Sequence, residues 1–202
     1  ETASAASVIL ATSTGLRTFS TMDFAINGTV SGAHSPFALA PGTTGAKFPD
    51  NNIGVIGPSN QDGVTLQDGV TDGLITLTLP ISVGASSWLT IWEAGVSADP
   101  FNLRVSTNHG VTYSAYSSFV ATAATPISAV GSPESTLNSV DVSMSAFAAF
   151  IGGDAVTTIQ ITRAGIDHPD IVAVAIPESS TSLGVSAGLI GLCFSRRRGA
   201  QR

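Results

Sequence analysis

The chain is short of the residues that most often announce a chemistry. It has one cysteine, Cys193, so no disulfide can form within it. Positive charge is scarce: eight Lys and Arg stand against fourteen Asp and Glu in 202 residues. Four of the eight, Arg196, Arg197, Arg198 and Arg202, fall in the last seven positions, which leaves Arg17, Lys47, Arg104 and Arg163 for everything before them. Set against fourteen acids, those four leave the first 195 residues at −10 and the tail at +4. An acidic body of this kind repels nucleic acid and anionic lipid, and no nucleic-acid partner is expected. The three histidines, His34, His109 and His168, are scattered, with no H-x-H or H-E-x-x-H spacing for a metal.

Catalytic signatures are missing too. Ser97 sits in Gly-Val-Ser-Ala-Asp, without the second glycine and the strand-turn-helix context of a nucleophile elbow. Glycoside hydrolysis needs two carboxylates across one bond; Glu93, after Trp92, could be one, but the sequence nominates no partner for it. No phosphate loop, dinucleotide fingerprint or basic aromatic stripe is present. The body is therefore expected to be non-catalytic, with a glycan-active hydrolase as the more distant alternative.

What the body does contain is period-two alternation. Ile75, Leu77 and Leu79 alternate with threonines; Phe101, Leu103 and Val105 with Asn102, Arg104 and Ser106; Val140, Val142 and Met144 with Asp141 and Ser143; and Ile159 and Ile161 lie between polar residues of 157–162. Further strand candidates are Ser7–Thr12, Asp23–Val30, Trp88–Glu93, Thr112–Val120 and Ile171–Ile176. Turn signals separate them at Asn27-Gly28, Asp72-Gly73, His109-Gly110, Gly152-Gly153-Asp154 and His168-Pro169-Asp170. One short helix is expected over Ser143–Phe150. These features predict one all-β domain over residues 1–175, a β-sandwich of jelly-roll type, large enough to bury a core without disulfides.

Residues 31–73 interrupt the rhythm with Pro36, Pro41, Pro49 and Pro58 among many Gly, Asn and Asp. A loop-rich stretch of that length inside a compact domain is functional or disordered. Asp62, Asp68 and Asp72 could give Ca²⁺ the oxygen ligands it takes, although each is followed by glycine and Asp-Gly is first a turn signal. Structural Ca²⁺ and ordinary turns are both open. Asn27-Gly28-Thr29 matches an N-glycosylation sequon that a turn explains equally well.

Two segments resemble known families. Leu89-Thr90-Ile91-Trp92-Glu93-Ala94-Gly95, followed by Phe101 to Tyr113 with its Asn108-His109-Gly110 turn, is similar to the strand, loop and hairpin of galactose-binding-like jelly rolls. In physical terms it reads as an alternating strand, a glycine-bearing turn that admits positive φ, and a return strand led by an aromatic. That resemblance implies a fold used for glycan or surface binding.

The C-terminal segment 176–202 has Ile176-Pro177-Glu178-Ser179-Ser180-Thr181, an apolar run from Leu183 to Phe194, and Arg196-Arg197-Arg198. Taken from Ser179 to Ser195, the run would span roughly 25 Å as a helix, a minimal transmembrane length. Arginines directly after it place them on the cytoplasmic side. The order and spacing resemble the PEP-CTERM sorting signal of Gram-negative bacteria, with Ser179 where that motif usually has a second proline. The resemblance implies export, a transient anchor in the inner membrane, and processing by exosortase, a membrane cysteine protease-transpeptidase. Its bearers are cell-surface or extracellular proteins linked to exopolysaccharide and biofilm. Cys193 is expected to be a small residue of that helix. Glu1 is expected to be a processed or truncated start, since no secretory leader is visible.

Two functional classes follow. One is a non-catalytic surface or matrix protein sorted by exosortase. The other is a carbohydrate-binding module whose aromatic rings stack on sugars. Trp88 and Trp92 fall on one strand face about 13 Å apart, with Glu93 beside them. If that face is open it could hold separate sugar units; otherwise it is the core with Leu89 and Ile91 pointing outward, or the strand is buried on both sides, since a sandwich needs large aromatics inside.

Overall fold

The structure, a computed structural model, describes residues 7–12, 15–20, 23–25, 27–37, 63–95, 98–126 and 136–176. Its strands, numbered in chain order, form two large antiparallel sheets with little helix, the arrangement of a β-sandwich. One sheet runs, in spatial order, β3 (Asn27–Ser31), β6 (Leu74–Val83), β12 (Val156–Arg163), β8 (Phe101–Ser106) and β9 (Ser117–Phe119). The other runs β10 (Ala123–Pro126), β11 (Thr136–Ser143), β7 (Trp88–Ala94), β13 (Asp170–Ala175), β5 (Gly63–Leu66) and β4 (His34–Phe37). From β5 onward the chain passes repeatedly from one sheet to the other, so neighbours in sequence are mostly not neighbours in a sheet.

Alternation decides which side chains meet between the sheets. In the five-stranded sheet Ile75, Leu77, Phe101, Leu103, Val105, Ile159 and Ile161 are fully buried, whereas Thr76, Thr78, Asn102, Arg104 and Thr162 are at least partly open. Leu66, Leu89, Ile91 and Val142 join the same buried cluster from the six-stranded sheet.

The six-stranded sheet is covered on its other face as well. A hairpin of β1 (Ser7–Thr12) and β2 (Gly15–Ser20) sets Phe19 against Trp92, with ring centroids 5.0 Å apart and planes at 82°. Phe24 packs on the same indole at 5.9 Å. Under this hairpin the side chain of Asp141 is 1% exposed; it accepts a hydrogen bond from Thr90 Oγ1 at 2.7 Å and lies 3.9 Å from Arg17 Nη2. β7 is in consequence buried on both faces from Leu89 to Ala94.

Several local expectations change. Asn27-Gly28 is not a turn but the start of β3, because pairing of Asn27 with Thr78 and Gly28 with Leu77 holds both extended. The strand expected over Asp23–Val30 therefore begins only at Asn27, and before it Phe24 bridges Ala175 and Ala25 N–H donates to Val174 O at 2.9 Å in the other sheet. The bend from β3 into β4 uses Gly32 at φ +71°, where a Cβ would stand 2.1 Å from the Asp72 carbonyl oxygen. The helix expected over Ser143–Phe150 is a 3₁₀ turn, Met144–Phe147, running into α1 (Ala148–Ile151). Within 31–73, β4 and β5 pair with each other, and residues 38–62 lie outside the described residues. Among the described residues no helix is long and apolar enough to cross a membrane; the segment expected to do so, 179–195, lies outside them.

Candidate functional site

Of the sugar-stacking pair on β7, only one member reaches solvent. Trp88 begins the strand and is 42% exposed; Trp92 is 1% exposed, between Phe19 and Phe24. The strand is core on both faces from Leu89 to Ala94, so Leu89 and Ile91 do not point outward to solvent. Glu93 is buried too, at 1% exposure, and its carboxylate accepts the backbone N–H of Asp99 at 3.0 and 3.2 Å. Burial pushes its pKa from 4.5 to about 8 against the pull of that N–H, and the charges of Asp99 and Asp170 push it further. Such a carboxyl tethers the loop after β7. A glycosidic bond in solvent is out of its reach.

The candidate calcium ligands point to different partners. Asp68 Oδ1 lies 3.2 Å from His168 Nε2, and Asp72 Oδ1 lies 3.1 Å from Arg163 Nε. Asp62 lies outside the described residues, and among those described no three His, Cys, Asp or Glu side chains converge as a metal site requires.

A different constellation lies on the outer face of the five-stranded sheet. Arg104 projects from the middle of β8, opposite Gln160 on β12, which is in turn opposite Thr76 on β6. The register turns into a relay across three strands: Arg104 Nε donates to Gln160 Oε1 at 2.7 Å, and Gln160 Nε2 donates to Thr76 Oγ1 at 2.9 Å. Beside it, Ser118 Oγ donates to Asn102 Oδ1, and Asn102 Nδ2 to the Arg163 carbonyl at 2.9 Å.

The loop after β8 then folds back over this face. His109 at φ 56° and Gly110 at φ 85° make the bend, held by Gly110 N–H on Ser106 Oγ and Thr112 N–H on Asn108 Oδ1, both at 2.9 Å. Ser114 closes the return: its N–H donates to the Val105 carbonyl at 2.9 Å, and its Oγ accepts from Val105 N–H at 3.1 Å. Tyr113 and Tyr116 are thereby both laid against the guanidinium, with Arg104 Cζ over each ring, 4.7 and 4.6 Å from their centroids. Tyr116 is 40% exposed. Burial raises the pKa of Tyr113 and the adjacent guanidinium opposes it, so the Tyr113 phenol is a neutral hydrogen-bonding group at physiological pH. The return strand is consequently shorter and later than expected, Ser117–Phe119, and Tyr113 stacks on Arg104 instead of leading it.

The sequence singled out none of these residues as a site. The signal it held was that both tyrosines of the chain follow Arg104 closely, and that Arg104 is the outward-facing cation of an alternating strand. The sorting residues Pro177, Glu178, Ser179, Arg196, Arg197 and Arg198 all lie outside the described residues.

No family model matches the chain, and no curated protein matches it. Among solved structures it is similar to the CBM35 from Paenibacillus barcinonensis, with 15% of residues identical and a TM-score of 0.39, over 77% of this chain and 97% of that one.

Proposed function

We propose that the sandwich is a non-catalytic carbohydrate-binding module of jelly-roll type whose ligand lies on the outer face of the five-stranded sheet. One observation carries this reading: an exposed tyrosine stands beside a fixed guanidinium on a face otherwise lined by Thr, Asn, Gln and Ser side chains. A sugar ring offers an apolar C–H face and a rim of hydroxyls, and such a surface offers the complement of each. The repeated passage of the chain between sheets supports the jelly-roll type.

The test is affinity electrophoresis and calorimetry of the purified protein against a panel of soluble polysaccharides. Binding to at least one polymer is expected, weakened tenfold or more by Tyr116→Ala at an unchanged melting temperature. Retardation by no polymer, or full binding by the variant, would overturn the proposal. If Tyr116 only fastened the loop, the variant would lose stability and leave binding intact.

The tail carries a second proposal, about address. Pro177-Glu178, the apolar run and Arg196-Arg197-Arg198 support export in a Gram-negative bacterium, anchoring in the inner membrane and processing by exosortase, which delivers the sandwich to the cell surface or the exopolysaccharide matrix of a biofilm. Mass spectrometry of the mature protein from its host is expected to find a new C-terminus near Pro177-Glu178. An intact Arg202 on surface material would refute processing.

A further inference from the structure

Arg104 stands apart among the described cations of an acidic chain. Arg17 lies within reach of Asp141 and Arg163 meets Asp72, whereas no Asp or Glu among the described residues lies within ion-pair distance of Arg104. Fourteen acids are present in the chain, yet the described acids leave this guanidinium alone.

It is nevertheless held firmly. The rings of Tyr113 and Tyr116 both lie against it, and its Nε is taken by Gln160, which is itself fixed by Thr76. What is left is the edge carrying the two Nη groups, which make no hydrogen bond to the described residues. That edge is a planar fork of parallel N–H donors, the geometry that matches a carboxylate through two hydrogen bonds at once. A neutral hydroxyl would satisfy it less well and would leave its charge uncompensated.

We propose that Arg104 is the receptor for a carboxylate on the ligand, so that the outer face of the five-stranded sheet takes an acidic polysaccharide. This rests on the carbohydrate-binding reading above and narrows it. The acidic body repels a polyanion at long range, and the Arg104 and Gln160 variants distinguish retention at this site from retention by the arginine cluster of the tail.

The experiment uses the full chain and three polymers, polygalacturonate, alginate and xanthan, each beside its carboxyl-reduced form. At least one acidic polymer should bind ten times or more tightly than its reduced form. Arg104→Lys, which keeps the charge and loses the fork and the stacking, should weaken that acidic binding about tenfold with little effect on the reduced form. Gln160→Glu, nearly isosteric, would set an internal carboxylate against the guanidinium and should abolish the preference while leaving the fold at least as stable. Equal binding of acidic and reduced forms, both sensitive to Tyr116→Ala, would leave the carbohydrate reading standing and overturn the carboxylate. Binding to none of the six polymers would overturn both. An acidic preference unchanged in Arg104→Lys and Gln160→Glu would also overturn the assignment to this site.

Discussion

Glu93 makes the stability of the sandwich depend on pH in a direction opposite to that of most acidic side chains. Its pKa of about 8 in the folded protein lies above the 4.5 of an unfolded chain, so the folded state holds a proton that unfolding releases. The stabilising contribution is therefore complete below about pH 4.5 and is lost as pH rises toward 8. At about 1.4 kcal/mol per unit, a shift of this size caps the loss at roughly 5 kcal/mol, and a working figure of about 3 kcal/mol between pH 5 and pH 8 allows for local relaxation. For a domain of this size that is a fall in melting temperature of about 6–12 °C. Asp170 and Asp99 carry upward shifts from burial as well and add to the slope with the same sign. Glu93→Gln keeps an oxygen to accept the Asp99 N–H and cannot ionise. Thermal unfolding followed by circular dichroism from pH 5 to pH 9 should show the wild type losing stability across that window and the variant losing less than half as much, with the variant the more stable above pH 8. A wild type that gains stability from pH 5 to 8, or a variant with the same profile, would falsify the assignment of Glu93 as a buried, proton-holding carboxyl.

Two further outcomes are expected. Trp92→Ala removes an indole packed by Phe19 and Phe24 and should cost about 3–5 kcal/mol in urea unfolding, against roughly 1 kcal/mol or less for the half-exposed Trp88→Ala; equal costs would contradict the burial of β7. Gly110→Ala places a methyl group 2.8 Å from Tyr113 Oη at a left-handed φ, so it should displace that ring from Arg104 and weaken polysaccharide binding more than it lowers the melting temperature, a split that calorimetry and a melt on the same sample can measure.

The strands most visible in the sequence are mostly those that alternate or sit well inside a sheet, with β1 of the two-stranded hairpin as an exception. β1 and β8 fall at the limits their sequence predicts, and β6, β7, β12 and β13 within a few residues of them. Of the strands that escaped, β4, β5 and β10 have only four residues each, and β4 and β10 form the two edges of the six-stranded sheet, where pairing on one side is enough and Pro36 and Pro126 are tolerated; β2, of six residues, escaped as well and pairs only with β1. The second covered face of β7 was legible only as an alternative. Its continuous run of large residues suits a doubly buried strand, but nothing local says that the β1–β2 hairpin supplies the cover.

The candidate site was the least legible part, for a physical reason. Arg104, Gln160 and Thr76 are far apart in sequence and meet only through the register of three strands. Tyr113 and Tyr116 reach the guanidinium only because the Ser106 and Asn108 side chains bend the chain back before β9 begins. Trp88, Trp92 and Glu93 drew notice because aromatic and acidic residues fall together in sequence. Two of the three are spent on the core.

The hairpin also decides how many sides of the molecule can be used. It seals the outer face of the six-stranded sheet around Trp92 and Asp141, while the five-stranded sheet keeps its polar face open under Tyr116. On the carbohydrate-binding proposal, such one-sidedness leaves the described sandwich a single wall against which one polymer strand would lie. Bridging two strands through this wall would then take a second copy of the chain, so any cross-linking of a polysaccharide solution by the purified protein should depend on its local crowding and not on its affinity alone.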